Sequence, residues 1–214
     1  MAYRPSTHGS SDRSGNGFGK FLLGFIFAFV VLGAGAWLYL KFGHPPVATN
    51  DPAFPMEAQI VHVPLSARID RELEKPPFGT SEDAFEAGAK IYATSCASCH
   101  GVPGHDSPYA KYMYPGSPQL WKKHTHNAVV GVSDDEPGET YWKIKNGIRL
   151  TGMPSYRHLY SDTQMWQVAL LLKNADQPLP DPVMKLLQDA AVAKDSLQAN
   201  PSVSLLDRGP IANR

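Results

Sequence analysis

The sequence predicts an all-α chain in which one N-terminal transmembrane helix precedes a small helical domain. Three observations predict it. The stretch from Phe21 to Leu40 is apolar and uncharged. Further on, segments beginning near Ser81, Ser161 and Asp181 set apolar residues at helical spacing behind capping residues. Between these segments lie loops dense in glycine and proline.

The elements follow in chain order. Residues 1–20 form a short tail holding Arg4, Arg13 and Lys20 among Ser and Gly. Residues 21–40 read FLLGFIFAFVVLGAGAWLYL, flanked by Lys20 and Lys41. At about 1.5 Å per residue this run is roughly 30 Å long, the thickness of a bilayer's hydrocarbon core. Trp37 and Tyr39 stand where an interfacial aromatic belt is expected. A cleaved signal peptide is the competing reading, because Ala34-Gly35-Ala36 has the A-x-A form. The apolar run continues past it through Trp37-Leu38-Tyr39-Leu40, which favours an uncleaved anchor. The positive charges ahead of it place the N-terminus in the cytoplasm and the rest of the chain outside.

Residues 41–79 form a proline-rich, semi-rigid spacer. Within it Ser66 to Leu73 can form a short helix, with Ile69 and Leu73 at helical spacing, that packs on the domain or on a partner. The domain spans residues 80–174. Its first helix is capped by Thr80 or Ser81 and presents Phe85, Ala89 and Tyr92 on one face. Gly88 inside that helix costs about 1 kcal/mol against alanine, which points to close approach by another helix. A second helix, Glu139 to Asn146, ends at Gly147. A third runs from the Ser161-Asp162 cap through Lys173 to Asn174. Residues 175–214 hold a helix from Asp181-Pro182 to about Ala193, with Met184, Leu187 and Ala191 as its apolar stripe, and then a polar, disordered tail.

The chemistry is concentrated in Cys96-Ala97-Ser98-Cys99-His100, which contains both cysteines of the chain. C-x-x-C-H is the pattern of covalent haem attachment: two thiols add to the porphyrin vinyl groups, and the adjacent histidine reaches the iron. A structural zinc site would need a fourth ligand from elsewhere. A thioredoxin-like pair would need a βαβ setting that the flanking residues do not offer. Covalent haem also implies an exported domain. The long loop after His100, holding Gly101, Pro103, Gly104, Pro108, Pro115, Gly116 and Pro118, is of the kind that wraps a bound group.

For the second axial position the candidate is Met153, in the Gly152-Met153-Pro154 turn, where a thioether is poorly placed as core filler. Met113 is the runner-up, and Met165 is assigned to helix packing. His105, His124, His126 and His158 read as exposed loop residues. Tyr109, Tyr112, Tyr114, Trp121, Tyr141, Trp142, Arg149 and Tyr156 are candidates to border the haem or its propionates.

Together, Gly88 and Tyr92, Cys96-x-x-Cys99-His100-Gly101, Gly152-Met153-Pro154 and the helix with Trp166 resemble a class I cytochrome c domain, here with an N-terminal membrane anchor. The resemblance covers roughly residues 80–174. It implies one haem c held by Cys96 and Cys99, with His100 and Met153 as iron ligands. It also implies a first helix crossing the last, with Gly88 and Tyr92 against Trp166 and Leu170. Pro118 and Leu120 resemble the family's haem wall, although the loop preceding them is longer.

With both axial positions filled, the expected function is one-electron transfer between redox partner proteins on the outer, periplasmic face of the membrane, without catalysis of its own. The alternative is a haem-bearing subunit of a larger respiratory assembly: an oxidase, a nitric oxide reductase or a dehydrogenase. A haem enzyme or ligand sensor is the third reading, with His158 its only hint. Acidic and basic residues balance at 20 each, which gives no support for nucleic-acid binding. Lys122-Lys123-His124 is a small basic cluster suited to an acidic redox partner.

Overall fold

Apolar residues from Phe21 onward have no polar face to offer water, and they form a single long helix, α1, Gly17–Phe42. It is long and apolar enough to cross a membrane. The computed structural model describes residues 17–126 and 128–198; Arg4 and Arg13 and the polar tail after Gln198 lie outside the described residues. Near the end of α1 the Lys41 ammonium stands 4.8 Å from the centre of the Trp37 ring.

A second compact unit begins at Ala48 and contains the remaining helices. They are α2 (Glu57–Arg71), α3 (Glu82–Ser95), the single turn α4 (Ala97–His100), α5 (Pro137–Asn146), α6 (Asp162–Lys173) and α7 (Asp181–Gln198), with a 3-10 turn at Ala110–Tyr112. Among the described residues there is no strand, only two isolated bridges, at Val102 with His105 and Lys123 with Val130.

α3 starts where Ser81 Oγ accepts a hydrogen bond from the Ala84 N–H at 3.2 Å, with Glu82 and Asp83 favourably placed in its first turn. α6 starts with a full capping box between Ser161 and Gln164. α3 and α6 cross at Gly88. A Cβ at that position would lie 2.5 Å from the carbonyl oxygen of Gln167. The closest approach at the crossing is to the backbone of Gln167 and Val168. Trp166 lies flat on Tyr141 of α5, with ring centres 4.0 Å apart. Tyr92 packs edge-on against Trp121 and shares the buried core with Trp166.

Two elements differ from expectation in extent or register. α2 begins nine residues earlier than Ser66 and passes straight through Pro64. The helix bond that Pro64 cannot donate would go to the carbonyl of Ile60, and both residues are exposed, so water can take its place. α2 packs on the domain through Ile69, 3% exposed, while Trp142 donates its indole N–H to Glu72 at 2.7 Å. In α7 the deepest residues are Val183 and Leu187, followed by Ala191; Met184 is only half-buried. α7 packs on α3, so its stripe belongs to the common core.

The docking of α2 leads to a pH prediction. Hydrogen bonds from Trp142 and then Arg68 hold the Glu72 carboxyl below its ordinary value of 4.5. A depressed carboxylate stabilises the docked state above its unfolded pKa, and that contribution is lost as pH falls through the folded pKa. The protection of α2 backbone amides, taken relative to their intrinsic exchange rates at each pH, is therefore expected to fall below about pH 4.5. Glu72→Gln should remove that acid step, as read by hydrogen exchange across the pH range.

Candidate functional site

The end of α3 and the start of α4 form a continuous hydrogen-bonded turn around the cysteine pair. The Cys96 N–H donates to Tyr92 O, and the N–H groups of Cys99 and His100 both donate to Cys96 O, at 3.1 and 3.0 Å. Gly101 stops the turn with φ of 71°, where a side chain would meet the His105 carbonyl and the Gln119 side chain at 2.7 Å. Glycine is thus required directly after His100. Between the cysteines, Ala97 points into the core at 2% exposure, while both thiols are half-buried. Among the described residues no three His, Cys, Asp or Glu side chains gather as a metal cluster.

Beneath this turn the buried Tyr92 hydroxyl donates to Gly101 O at 2.8 Å. Burial pushes that hydroxyl well above its ordinary pKa, so it stays a donor. The indole N–H of Trp121 approaches Tyr92 closely enough to draw its pKa slightly back, without the geometry of a hydrogen bond. It is a buried donor with no protein acceptor among the described residues.

His100 is oriented by its neighbours. A carbonyl can only accept, so the contact of 2.8 Å from Nδ1 to Pro118 O puts the proton on Nδ1 and leaves the lone pair on Nε2. Ser117 Oγ is also near Nδ1, at 3.2 Å. Burial lowers the His100 pKa and the Pro118 bond opposes that only in part, which favours the neutral ring that a metal requires. The Leu120 N–H closes the wall by donating to His100 O at 3.1 Å. Gln119 fastens the same segment to the cysteine turn, donating from Nε2 to Cys99 O and accepting from Ser107 N–H.

Met153 lies on a strap between α5 and α6. α5 ends at Gly147, whose φ is 67°; a Cβ there would stand 2.9 Å from Met153 O and 2.7 Å from the carbonyl carbon of Pro154. The strap therefore folds back over a glycine. The Ile148 N–H donates to Met153 O at 3.2 Å, and the Met153 N–H donates to Thr151 Oγ1 at 3.1 Å. Leu150, at φ 63°, holds the left-handed conformation that makes this tight path possible. Met153 is half-buried and packs on the core against which Cys96 and Tyr156 also pack. The terminal methyl of Met113 reaches Gly152, where a Cβ would collide with it, so both candidate thioethers border the same strap.

The other candidates separate clearly. Met165 is 1% exposed in the core of α6. His105, His124, His126 and His158 are exposed, as is Arg149. Trp142 docks α2, and Tyr141 serves Trp166 and Lys145. Tyr109, Tyr112 and Tyr114 line the exposed loop. Lys122 of the basic cluster is paired with Asp106. Gln119, Thr151 and Ser95 take part in the site without having been marked by the sequence; only the proximity of Gln119 to Pro118 offered a clue.

The residues present fit a covalently held haem: two thiols on one turn, a neutral imidazole with Nε2 uncommitted, a thioether bordering the same core, and an unpartnered buried N–H. The class this defines is a cytochrome c-type domain, all-α, with an apolar helix ahead of it in the chain. Residues 83–172 match a protein-family model described as Cytochrome C oxidase, cbb3-type, subunit III. The match covers less than half of the chain and includes α3 to α6 with the whole site; α1, α2 and α7 lie outside it. No curated protein and no solved structure matches the chain. A cytochrome c domain of this type implies electron transfer and haem as the group that performs it.

Proposed function

We propose that the chain is a membrane-anchored mono-haem cytochrome that passes single electrons between protein partners on the periplasmic face of the cytoplasmic membrane. Cys96 and Cys99 hold the haem covalently, and His100 and Met153 are its axial ligands. The observation that carries this reading is His100: its Nδ1–H is committed to Pro118 O, so Nε2 is aimed and basic. When bound, the group supplies reversible one-electron chemistry at iron, and a methionine ligand raises its potential. The chain's own residues do the rest. Pro118 fixes the imidazole, the Gly147 fold-back sets the strap, and Tyr92 holds the cysteine turn.

α1 keeps the domain near membrane redox partners, and the segment from Gly43 to Met56 tethers it there. Tethering raises the effective concentration of the carrier at the membrane. Cys96→Ala tests the attachment. It is expected to leave a single thioether bond to Cys99, so that the haem still resists acid-acetone extraction but its reduced pyridine complex absorbs further to the red, because one porphyrin vinyl group stays conjugated. A pyridine-complex spectrum unaltered by Cys96→Ala would exclude the assignment.

A second reading, a haem-bearing subunit of an oxidase assembly, is favoured by the description of the matching family and by α2. Met56, Ile60 and Val63 stand on α2 or at its start, all more than 60% exposed. Native mass after mild detergent extraction separates the readings: a lone chain supports the carrier, a stable larger mass the subunit.

A further inference from the structure

We propose that Tyr156 is a positioning residue for Met153: its hydroxyl, bonded to the backbone carbonyl of Ser95, ties the methionine strap to the helix end that carries Cys96. The proposal rests on Met153 being the axial ligand. The bonds described so far attach the strap to its own side of the site. Met153 O is held by Ile148, and the Tyr156 N–H donates to Ile144 O at 3.0 Å. These set the shape of the strap and its angle to α5. They do not fix its distance from the cysteine turn.

Two hydrogen bonds reach across. The Tyr156 hydroxyl donates to Ser95 O at 2.9 Å, joining residues 61 positions apart. The Tyr160 hydroxyl shares a hydrogen bond of 2.6 Å with Ser95 Oγ. Ser95 is the last residue of α3, so its carbonyl is one of those that a helix end leaves without an internal partner. The acceptor is therefore available for a cross-brace and is rigidly placed beside Cys96. The two tyrosine rings stack with centres 5.9 Å apart, and the Leu159 and Tyr160 N–H groups both donate to Tyr156 O, which holds the backbone that carries the two rings. Burial is the first cause that raises the Tyr156 hydroxyl above its ordinary value, which keeps it a donor.

Its consequence is kinetic. Replacement of the Met153 sulfur by an outside ligand requires the strap to lift from the haem side, and lifting it breaks the brace. The test uses the full haem-loaded chain in detergent, with imidazole as the entering ligand to the ferric protein. Tyr156→Phe keeps the ring stack and removes one hydroxyl. It is expected to retain the far-red sulfur-to-iron band and to bind imidazole about tenfold faster, the factor equivalent to a net hydrogen bond of about 1.4 kcal/mol. Ser95→Ala removes the partner of Tyr160 but keeps the carbonyl that Tyr156 uses, and is expected to speed imidazole binding by less than Tyr156→Phe does. An unaltered rate in Tyr156→Phe overturns the proposal. So does a Tyr156→Phe chain that fails to acquire haem while Ser95→Ala acquires it, since the hydroxyl would then serve folding. If the unaltered chain lacks the sulfur-to-iron band, the ligand reading itself falls, and the brace with it.

Discussion

Gly88→Val is expected to leave no folded haem domain. At Gly88 the backbone of α3 touches the backbone of α6, and even a single Cβ would sit 2.5 Å from Gln167 O and 2.8 Å from its carbonyl carbon. Backbone atoms cannot rotate aside as the end of a flexible side chain can, so the helices must separate. Separation would loosen a seam that includes Ala89, Tyr92, Val168 and Leu171, all buried to within 1%. Gly88→Ala weighs two effects against each other. Alanine gains about 1 kcal/mol of helix propensity. Overpacking costs about 3 kcal/mol, so the net effect is destabilising. Against a total stability of about 5–15 kcal/mol, the smaller variant folds with a lowered melting temperature, and the larger one does not fold. Thermal melts of the haem-loaded domain check both. A Gly88→Ala domain as stable as the unaltered one would show that the helices do not cross where they are described.

Met153→Ala is the second large effect. It is expected to retain covalent haem, because the cysteine turn is untouched, and to lose the sulfur-to-iron band. The reduced form should then bind carbon monoxide. The reduction potential should fall by on the order of 0.1–0.2 V, within the roughly 0.8 V range that axial ligands span. The methyl of Met113 rests against Gly152, so the comparison includes Met113→Ala and the double variant. Loss of the band in Met153→Ala alone assigns the ligand to Met153. A band that persists there and disappears in Met113→Ala assigns it to Met113, and one that disappears only in the double variant shows that either thioether can serve.

What could be read in advance divides along a physical line. Local signals were legible. The Ser81 and Ser161 caps, the Gly147 stop and the Gly88 contact each depend on a few neighbouring residues, and each stands in the structure as expected. The cysteine turn was legible for the same reason. Long-range features were not. Whether α2 would pack on the domain depended on Trp142, 70 residues beyond its partner Glu72. The proline-rich spacer gave no sign that a helix would run through Pro64, because the exposure of Ile60 and Pro64 is invisible in a linear chain. In α7 the apolar residues Val183, Met184, Leu186 and Leu187 permit more than one face, and packing on α3 selected Val183. Within the site, the residue types were legible and their fastenings were not. Ser95, Thr151 and Gln119 are ordinary polar residues until the strap and the loop are folded onto them.

The proposed site is closed, with its iron held by His100 and Met153. It is tested most directly by the visible spectrum of the detergent-solubilised chain, oxidised, reduced, and reduced with carbon monoxide. The account predicts covalent low-spin haem, a far-red sulfur-to-iron band in the oxidised form and no response to carbon monoxide. Ready carbon monoxide binding by the unaltered chain would contradict it and would place an open or labile position at the iron.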